Sequence, residues 1–160
     1  MILCDRDLHV LCQEGLIRDY DPAFLNPASV DVRVGSTIER ERTGFLRETL
    51  PERGLPFFPG DFARVAVLEC VTVPNGYGVE MCLKSTRARE GWDHGLAGWA
   101  DPGWNGILTM EVRNVLTAGV LLLVPGARFA QLKVHRLSGR SARPYNGRYN
   151  NATGVEGPKP

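Results

Sequence analysis

A short segment that follows a predicted strand concentrates hydroxyl and cationic side chains. Two hydroxyls and three cations occupy six consecutive positions, 84–89 (KSTRAR). Phosphate oxygens make their strongest hydrogen bonds with charged donors, so this segment is a candidate phosphate site. The alternative is a solvated basic turn, because runs of charge usually lie on the surface.

Small residues surround two tryptophans and one carboxylate in the segment 96–106 (LAGWADPGWNG). Glycines in such a path let a ligand approach the backbone closely. A tryptophan here can stack on a sugar or a base, and Asp101 can accept a hydrogen bond from a hydroxyl group. The alternative is a turn in which Asp101 caps the backbone and both tryptophans belong to the core.

Glu111 is a carboxylate on an otherwise apolar predicted strand, 108–114 (LTMEVRN). Strict alternation places Glu111 on the same face as Thr109 and Arg113. That face either points outward, with a contact between Glu111 and Arg113, or lines a groove between subunits. In a groove, burial would raise the pKa of Glu111 and suit it to proton transfer near neutral pH. The residues alone favour neither interpretation.

The elements that must position these residues are mostly short strands separated by turns. One short helix is predicted that Asp5 can cap and that ends near Gly15. Its apolar positions share one face: Leu8, Leu11 and Cys12. Alternating or β-branched runs predict strands at 29–35, 62–73, 79–83, 107–112, 120–124 and 128–134. Residues 40–56, which are rich in charge and broken by glycine and proline, predict a surface excursion without a domain boundary. We therefore expect a mainly β fold, a barrel or a jelly-roll-like sandwich.

Length and charge restrict the class of protein. The 160 residues carry a formal net charge of +1, and 43% are hydrophobic, as expected for one compact domain over 1–160. The charge balance argues against a nucleic-acid partner. The longest apolar run, 119–124, is far too short to cross a membrane. Acidic residues begin at Asp5, too early for a signal peptide, so we expect a cytoplasmic protein.

Cysteine usage argues against a zinc site. The four cysteines lie at positions 4, 12, 70 and 82, with no Cys-x-x-Cys pair and no histidine at a ligand spacing. Reduced and mostly buried thiols are the simpler interpretation.

The tail, 138–160, is rich in glycine, asparagine, arginine and proline. Tyr145, Tyr149 and Val155 are its only anchoring side chains. This composition predicts either a floppy end or a lid that orders over a ligand.

Ordered motifs over most of the chain resemble the dCTP deaminase family, a branch of the trimeric dUTPase-like nucleotide hydrolases. The matching segments are 2–8 (ILCDRDL), 26–35 (NPASVDVRVG), 84–91 (KSTRAREG), 97–111 (AGWADPGWNGILTME), 125–132 (PGARFAQL), and Tyr145 with Arg148 and Tyr149. The resemblance implies a dUTPase-like β-barrel or distorted jelly roll with a flexible C-terminal lid. It also implies a homotrimer with sites between subunits, and nucleotide ligands: dCTP, with dUTP and dTTP as further candidates.

The activity implied by the resemblance is hydrolytic deamination of dCTP to dUTP and ammonia, without zinc and with Mg2+ bound through the triphosphate. By position, Ser85, Thr86 and Arg89 would hold phosphates and help to order a water molecule. Lys84 would join them, where relatives usually have arginine. The backbone carbonyl group of Ala97 would orient the same water.

The resemblance also assigns roles around the sugar and the base. Asp101 matches an aspartate that reads the deoxyribose 3'-hydroxyl, and Trp104 matches an aromatic residue that packs against the sugar. Glu111 matches the catalytic glutamate, which takes a proton from water as the oxygen attacks carbon 4 of cytosine and then protonates the ring nitrogen and the departing amine. The remaining substrate-binding residues implied by the resemblance are Gln131, Tyr145 and Arg148. A deaminase without a metal needs such a group, together with a fixed water.

Two features depart from the patterns of relatives. Gly98 and Trp99 stand where a His-Arg pair is usual, and they are closer to bifunctional relatives that also split dUTP to dUMP and diphosphate. Ala152 stands where relatives commonly place a glutamine that contacts the nucleotide, with Asn151 or Thr153 as candidates to compensate. We expect a dCTP deaminase that releases dUTP. The alternatives are a bifunctional enzyme that forms dUMP, an enzyme for a modified deoxycytidine nucleotide, and a non-catalytic nucleotide-binding trimer.

Overall fold

The chain folds mainly into strands, as its turn-rich sequence predicts. A computed structural model describes residues 1–95 and 97–160; Leu96, the first residue of the segment 96–106, lies outside the described residues. The α-helices are short: α1 (Asp5–Leu11) and α2 (Ser85–Glu90). The strands are β1 (Leu25–Asn26), β2 (Ser29–Arg40), β3 (Arg47–Thr49), β4 (Leu55–Phe57), β5 (Phe62–Thr72), β6 (Tyr77–Leu83), β7 (Trp92–His94), β8 (Trp99–Ala100), β9 (Asn105–Asn114), β10 (Leu121–Leu123) and β11 (Arg128–Arg136).

Nine of the described strands form one antiparallel sheet. Seven follow in the order β7-β9-β5-β2-β11-β6-β8, and β1 and β3 both pair with β2. The pairing of β2 with β5 shifts register between Val34 and Ile38, and such irregularities bend strands. Gly35 lies at this shift, where a Cβ atom would come within 2.7 Å of the carbonyl oxygen of Val67. The sheet curls into a half-barrel, which confirms the predicted mainly β, barrel-like class.

Aromatic rings from three separate strands meet in the core. The ring of Trp92 packs edge to face on Phe57, with centroids 5.0 Å apart, and on Phe129 at 5.3 Å. Edge-to-face pairs are a favoured aromatic geometry. Trp92 therefore joins β4, β7 and β11 through one buried cluster.

The N-terminal helix confirms the predicted apolar face. Leu8 and Leu11 are buried in α1, and Cys12 is buried in the wider helical turn Cys12–Leu16 that continues it. Gly15 has φ 108°, a left-handed conformation that suits glycine and ends the helical path. None of the helices in the described residues is long and apolar enough to span a membrane.

The segment 40–56 is more regular than the sequence predicts. It contains β3, which pairs with β2, and it leads into β4. Arg40 and Glu48 form an ion pair across β2 and β3, with Nη2 and Oε2 2.6 Å apart. Opposite charges on paired strands stabilise each other. Some of the charged residues that indicated a loop therefore lie in strands at a sheet edge. The predicted strand 120–124 is shortened to β10, which pairs with β4 outside the large sheet.

Candidate active site

Glu111 lies on the side of β9 that turns away from the core. Met110 and Val112 are wholly buried, whereas Thr109 and Glu111 are half-buried and Arg113 is exposed. The predicted alternation along this strand is therefore confirmed. Within the part of the chain that the structure describes, Glu111 forms no ion pair with Arg113, and its buried Oε2 atom has no hydrogen-bond partner.

Glu111 faces a cavity of about 460 Å³. A cavity of this size, with largely apolar walls and a few polar groups, is typical of a small-molecule site. The walls come from β5, β9, the segment that leads into β8, the turn before β9, and the tail. Besides Glu111 they include Phe62, Arg64, Ala97, Trp99, Trp104, Tyr149 and Glu156.

Burial raises the pKa of the Glu111 carboxyl group, because a charged carboxylate loses its hydration there. Charge on His94 and Arg64 opposes this rise. His94 is fixed beside Glu111 by the pairing of β7 with β9, and its Nδ1 lies 3.4 Å from the Glu111 carbonyl oxygen. The His94 Nε2 atom is buried without a partner among the described residues. Glu111 is thus a carboxyl group suited to both accepting and releasing a proton.

The turn before β9 places Trp104 in the cavity wall, whereas Asp101 on the same turn is not among the residues that line the cavity. The backbone N–H of Trp104 donates to the Asp101 carbonyl oxygen at 3.0 Å, and Gly103 takes φ 94°, which favours glycine. The Asp101 carboxylate accepts a hydrogen bond from the Trp99 indole at 2.9 Å. Trp99 is 49% exposed, so the interpretation that both tryptophans belong to the core is wrong. Trp104 is half-buried, and its ring lies 5.9 Å from that of Tyr145.

The tail packs along β9 and closes one side of the cavity. The backbone N–H of Ile107 donates to the Ala152 carbonyl oxygen at 2.9 Å, and Asn151 N–H donates to Asn105 O at 2.6 Å. Gly106 makes this approach possible, because a Cβ atom there would lie 2.7 Å from the Ala152 nitrogen. The tail, for which composition predicts either a floppy end or a lid, therefore lies along the strand that carries Glu111.

The end of the tail is anchored by a buried side chain. Val155 is wholly buried, and its N–H donates to Thr37 Oγ1 at 3.0 Å. The next N–H, that of Glu156, donates to Thr109 Oγ1 at 3.0 Å. Val155 thus serves as the anchor that the composition predicts, and it brings Glu156 into the cavity wall.

The basic segment lies outside this cavity. Ser85, Thr86 and Arg89 sit on α2 with exposed side chains, and none of the three lines the cavity around Glu111. Arg87 instead pairs with Glu90 on the same helix, Nη1 to Oε2 2.8 Å. Within one chain, the predicted hydroxyl and cationic groups on α2 therefore do not share a cavity with the predicted catalytic carboxylate.

Lys84 is engaged by a buried carboxylate. Its ammonium group donates to both oxygens of Asp31, at 2.5 and 2.6 Å, and Asp31 is only 2% exposed. Asn26 donates to the same carboxylate at 2.9 Å, and Arg128 lies 3.5 Å away. Lys84 thus fixes the start of α2 to β2.

The remaining predicted site residues lie in two places. Gln131 on β11 accepts a hydrogen bond from Ser29 at 3.2 Å, away from Glu111. Tyr145 packs near Trp104 beside the cavity, and Arg148 donates to the Lys159 carbonyl oxygen at 2.5 Å within the tail. Of the predicted residues, the cavity brings together Glu111, Ala97 and Trp104.

Sequence reasoning missed two residues beside Glu111, Arg64 and His94. Arg64 interrupts the β-branched run of β5, which also carries Glu69, so the available signal was a charged residue on a largely apolar strand. His94 carried no such signal, because β7 is too short to show alternation.

No group of three or more His, Cys, Asp or Glu side chains in residues 1–95 and 97–160 is placed to hold a metal ion.

Comparison with solved structures defines the class of fold. The 2'-deoxycytidine 5'-triphosphate deaminase from Agrobacterium tumefaciens superposes with a TM-score of 0.71 at 19% identity, over 84% of this chain and 47% of that chain. The native EIAV dUTPase gives a TM-score of 0.50 at 16% identity, over 84% of this chain and 93% of that one. The chain therefore has a dUTPase-like fold.

Sequence comparison narrows this class to a family. A family model described as dCTP deaminase-like matches residues 2–137. A "dCTP deaminase, dUMP-forming" of Thermobifida fusca is 33% identical over 180 residues, covering 100% of this chain and 91% of that protein. A "dCTP deaminase" of Thermococcus kodakarensis is 36% identical over 137 residues, covering 86% of each chain. The chain belongs to the dCTP deaminase-like family.

Proposed function

We propose that this protein catalyses the hydrolytic deamination of dCTP. The observation that carries the proposal is Glu111, a half-buried carboxylate with a raised pKa and an unpartnered oxygen in a largely apolar cavity. Water attacks carbon 4 of the cytosine ring and gives one proton to Glu111. Glu111 passes this proton to the ring nitrogen, takes the second proton from the hydroxyl group of the tetrahedral intermediate and gives it to the amino group, which departs as ammonia and leaves a uracil ring.

Several neighbours of Glu111 support this chemistry. Ala97 is exposed and lines the cavity, and its backbone carbonyl group is the proposed acceptor that orients the attacking water. Trp104 is proposed to pack against the deoxyribose, and Asp101 to accept a hydrogen bond from its 3'-hydroxyl. Closure by the tail excludes solvent, which strengthens electrostatic interactions within the cavity.

We infer that the triphosphate is held by the α2 segment of a neighbouring subunit in a homotrimer. Ser85, Thr86 and Arg89 are exposed and lie outside the Glu111 cavity of their own chain, which supports a shared site. Mg2+ is proposed to bind through the triphosphate oxygens. The four cysteines are free, in keeping with the cytoplasmic location proposed for the enzyme.

Mixing two inactive variants tests the shared site. Arg89→Ala and Glu111→Gln should each be nearly inactive alone. After joint refolding, mixed trimers contain some sites with an intact Arg89 and an intact Glu111, so we expect roughly a quarter of the parent activity for random assembly. The control is each variant refolded alone. Mass measurement shows whether the trimers are mixed. If mixed trimers recover no activity, Arg89 and Glu111 act within the site of a single subunit.

We propose dUMP rather than dUTP as the final product. The expectation that dUTP accumulates is not confirmed, whereas the Thermobifida fusca relative is named as dUMP-forming. The pair Gly98 and Trp99 also resembles the bifunctional pattern. A Cβ atom at Gly98 would lie 2.3 Å from the Met81 carbonyl oxygen, so a larger residue there requires a different path for this segment.

Chromatography of the nucleotide products tests the function directly. With dCTP and Mg2+, we expect ammonia, dUMP and diphosphate. Accumulation of dUTP would support the deaminase and reject the second hydrolysis. Absence of any product from dCTP or dUTP, with nucleotide binding retained, would favour the non-catalytic trimer.

A further inference from the structure

A guanidinium group lies next to Glu111 without pairing with it. Arg64 on β5 is directly opposite Glu111 on β9 in the antiparallel register. Such pairs have Cβ atoms about 4.5–5.5 Å apart on the same face of the sheet, and both side chains line the cavity. Among the described residues, however, no ion pair within 4.0 Å joins Arg64 to Glu111.

Glu39 on β2 holds the Arg64 guanidinium instead. Arg64 Nε donates to Glu39 Oε2 at 3.0 Å, and Nη2 lies 2.9 Å from the same oxygen. The Arg64 side chain is 13% exposed and that of Glu39 is 11% exposed, so water screens their charges weakly. The ring of Phe45 lies 4.2 Å from the guanidinium carbon and limits its movement on another side.

We propose that the Glu39–Arg64 pair controls the catalytic carboxylate: Arg64 is a positioning residue that favours ionised Glu111, and Glu39 keeps the guanidinium from closing a salt bridge with it. The inference rests on the proposed function, because it concerns the same proton transfer. Without the cation, burial would favour the protonated form of Glu111 more strongly, and a protonated carboxyl group does not activate water. With a direct salt bridge, Glu111 would hold protons too weakly to deliver them to the amine.

Other ionisable groups also face Glu111. They are His94 on β7, Tyr149 and Glu156 in the tail, and Arg113 two positions along β9. Glu156 is compensated by Lys159, whose Nζ lies 3.0 Å from its Oε2. Arg64 differs from these groups because it lies directly opposite Glu111 and is hydrogen-bonded to a buried carboxylate.

Substitutions of Arg64 and of Glu39 are expected to displace the acid limb of the pH–rate profile in opposite directions. Arg64→Gln removes the cation, so the acid limb should move to higher pH by at least about half a pH unit, since one opposite charge within 4–6 Å displaces a carboxyl titration by about one to three pH units. Glu39→Gln keeps an acceptor for Arg64 but removes the negative charge, so the limb should move to lower pH. Arg64→Lys keeps the charge and should restore the parent profile.

A second arginine–glutamate pair provides a matched control. Arg33 and Glu69 join the same two strands, with Nε and Oε1 2.7 Å apart, and they line a different cavity. Glu69→Gln should leave the acid limb unchanged. If it moves the limb as far as Glu39→Gln does, the effect is not specific to the pair beside Glu111.

Carbon-13 NMR measures the titration of Glu111 in the absence of turnover. The signal of the Glu111 carboxyl carbon is assigned by its absence in the spectrum of Glu111→Gln. Opposite displacements of its midpoint in Arg64→Gln and Glu39→Gln support the proposal, and displacements in one direction overturn it. If Arg64→Gln does not fold, Glu39→Gln decides, because a purely structural pair would not lower the midpoint. An inactive parent chain would reject the proposed function and leave the NMR result valid.

Discussion

Glu111→Gln is expected to lower kcat for dCTP at least about a hundredfold while the nucleotide still binds. Glutamine keeps the size of the side chain but cannot take a proton from water, and a general acid–base group contributes about 10²–10⁴-fold to a rate. Ammonia release with Mg2+ measures the loss, and calorimetry with dCTP measures binding. Because the proton transfer occurs only in the reaction, kcat and kcat/KM should fall by similar factors.

Glu156→Gln is the matched control for this prediction. Its carboxylate lines the same cavity but is compensated by Lys159 at 3.0 Å. We expect its kcat to stay within about tenfold of the parent value. The assignment of Glu111 as the proton carrier fails if Glu111→Gln also stays within about tenfold.

Local sequence patterns were sufficient for the strand that carries Glu111. Alternation placed Thr109 and Arg113 on the same face as Glu111, and the structure confirms this, because Met110 and Val112 on the opposite face are buried. Local chemistry was also sufficient for the mainly β class, because turn residues bound each strand. These are properties of neighbours in sequence, which a single chain reveals directly.

The surroundings of Glu111 depend on pairing between distant strands, which the residues alone do not specify. Arg64 lies opposite Glu111 only because β5 and β9 pair in one register, and a shift of one residue would turn Arg64 to the other face. The path of the tail likewise depends on Gly106 and Ala152 meeting in space. Composition predicted a floppy end or a lid, but not the strand along which it lies.

The prediction of a loop over positions 40–56 was partly wrong because of how its charged residues pair. Arginine and glutamate usually indicate exposed loops, yet Arg40 and Glu48 neutralise each other across β2 and β3. An edge strand tolerates such side chains because one of its faces remains in solvent. The charged residues of this segment therefore correctly indicated that it lies at the surface, but they wrongly indicated that its backbone is irregular.

Lys84→Met is expected to reduce the free energy of unfolding by about 2–3 kcal/mol. It leaves Asp31 buried with its main cationic partner removed, and breaking a buried pair in this way typically costs about 3–5 kcal/mol. We expect a smaller loss because the Lys84 side chain is 23% exposed and because Asn26 and Arg128 remain near the carboxylate. Urea denaturation of the parent and the variant at equal subunit concentration measures the difference.

Arg128→Met separates this stabilising role from phosphate binding. Its guanidinium lies 3.5 Å from Asp31 but is 54% exposed, so we expect a loss below about 1 kcal/mol. Equal losses in the two variants would show that the buried Lys84 bond is not what stabilises the start of α2. One carboxylate faces two cations here, which leaves one net positive charge beside α2. Each variant removes that charge, so KM for dCTP should rise in both, while a large loss of stability should follow only from Lys84→Met.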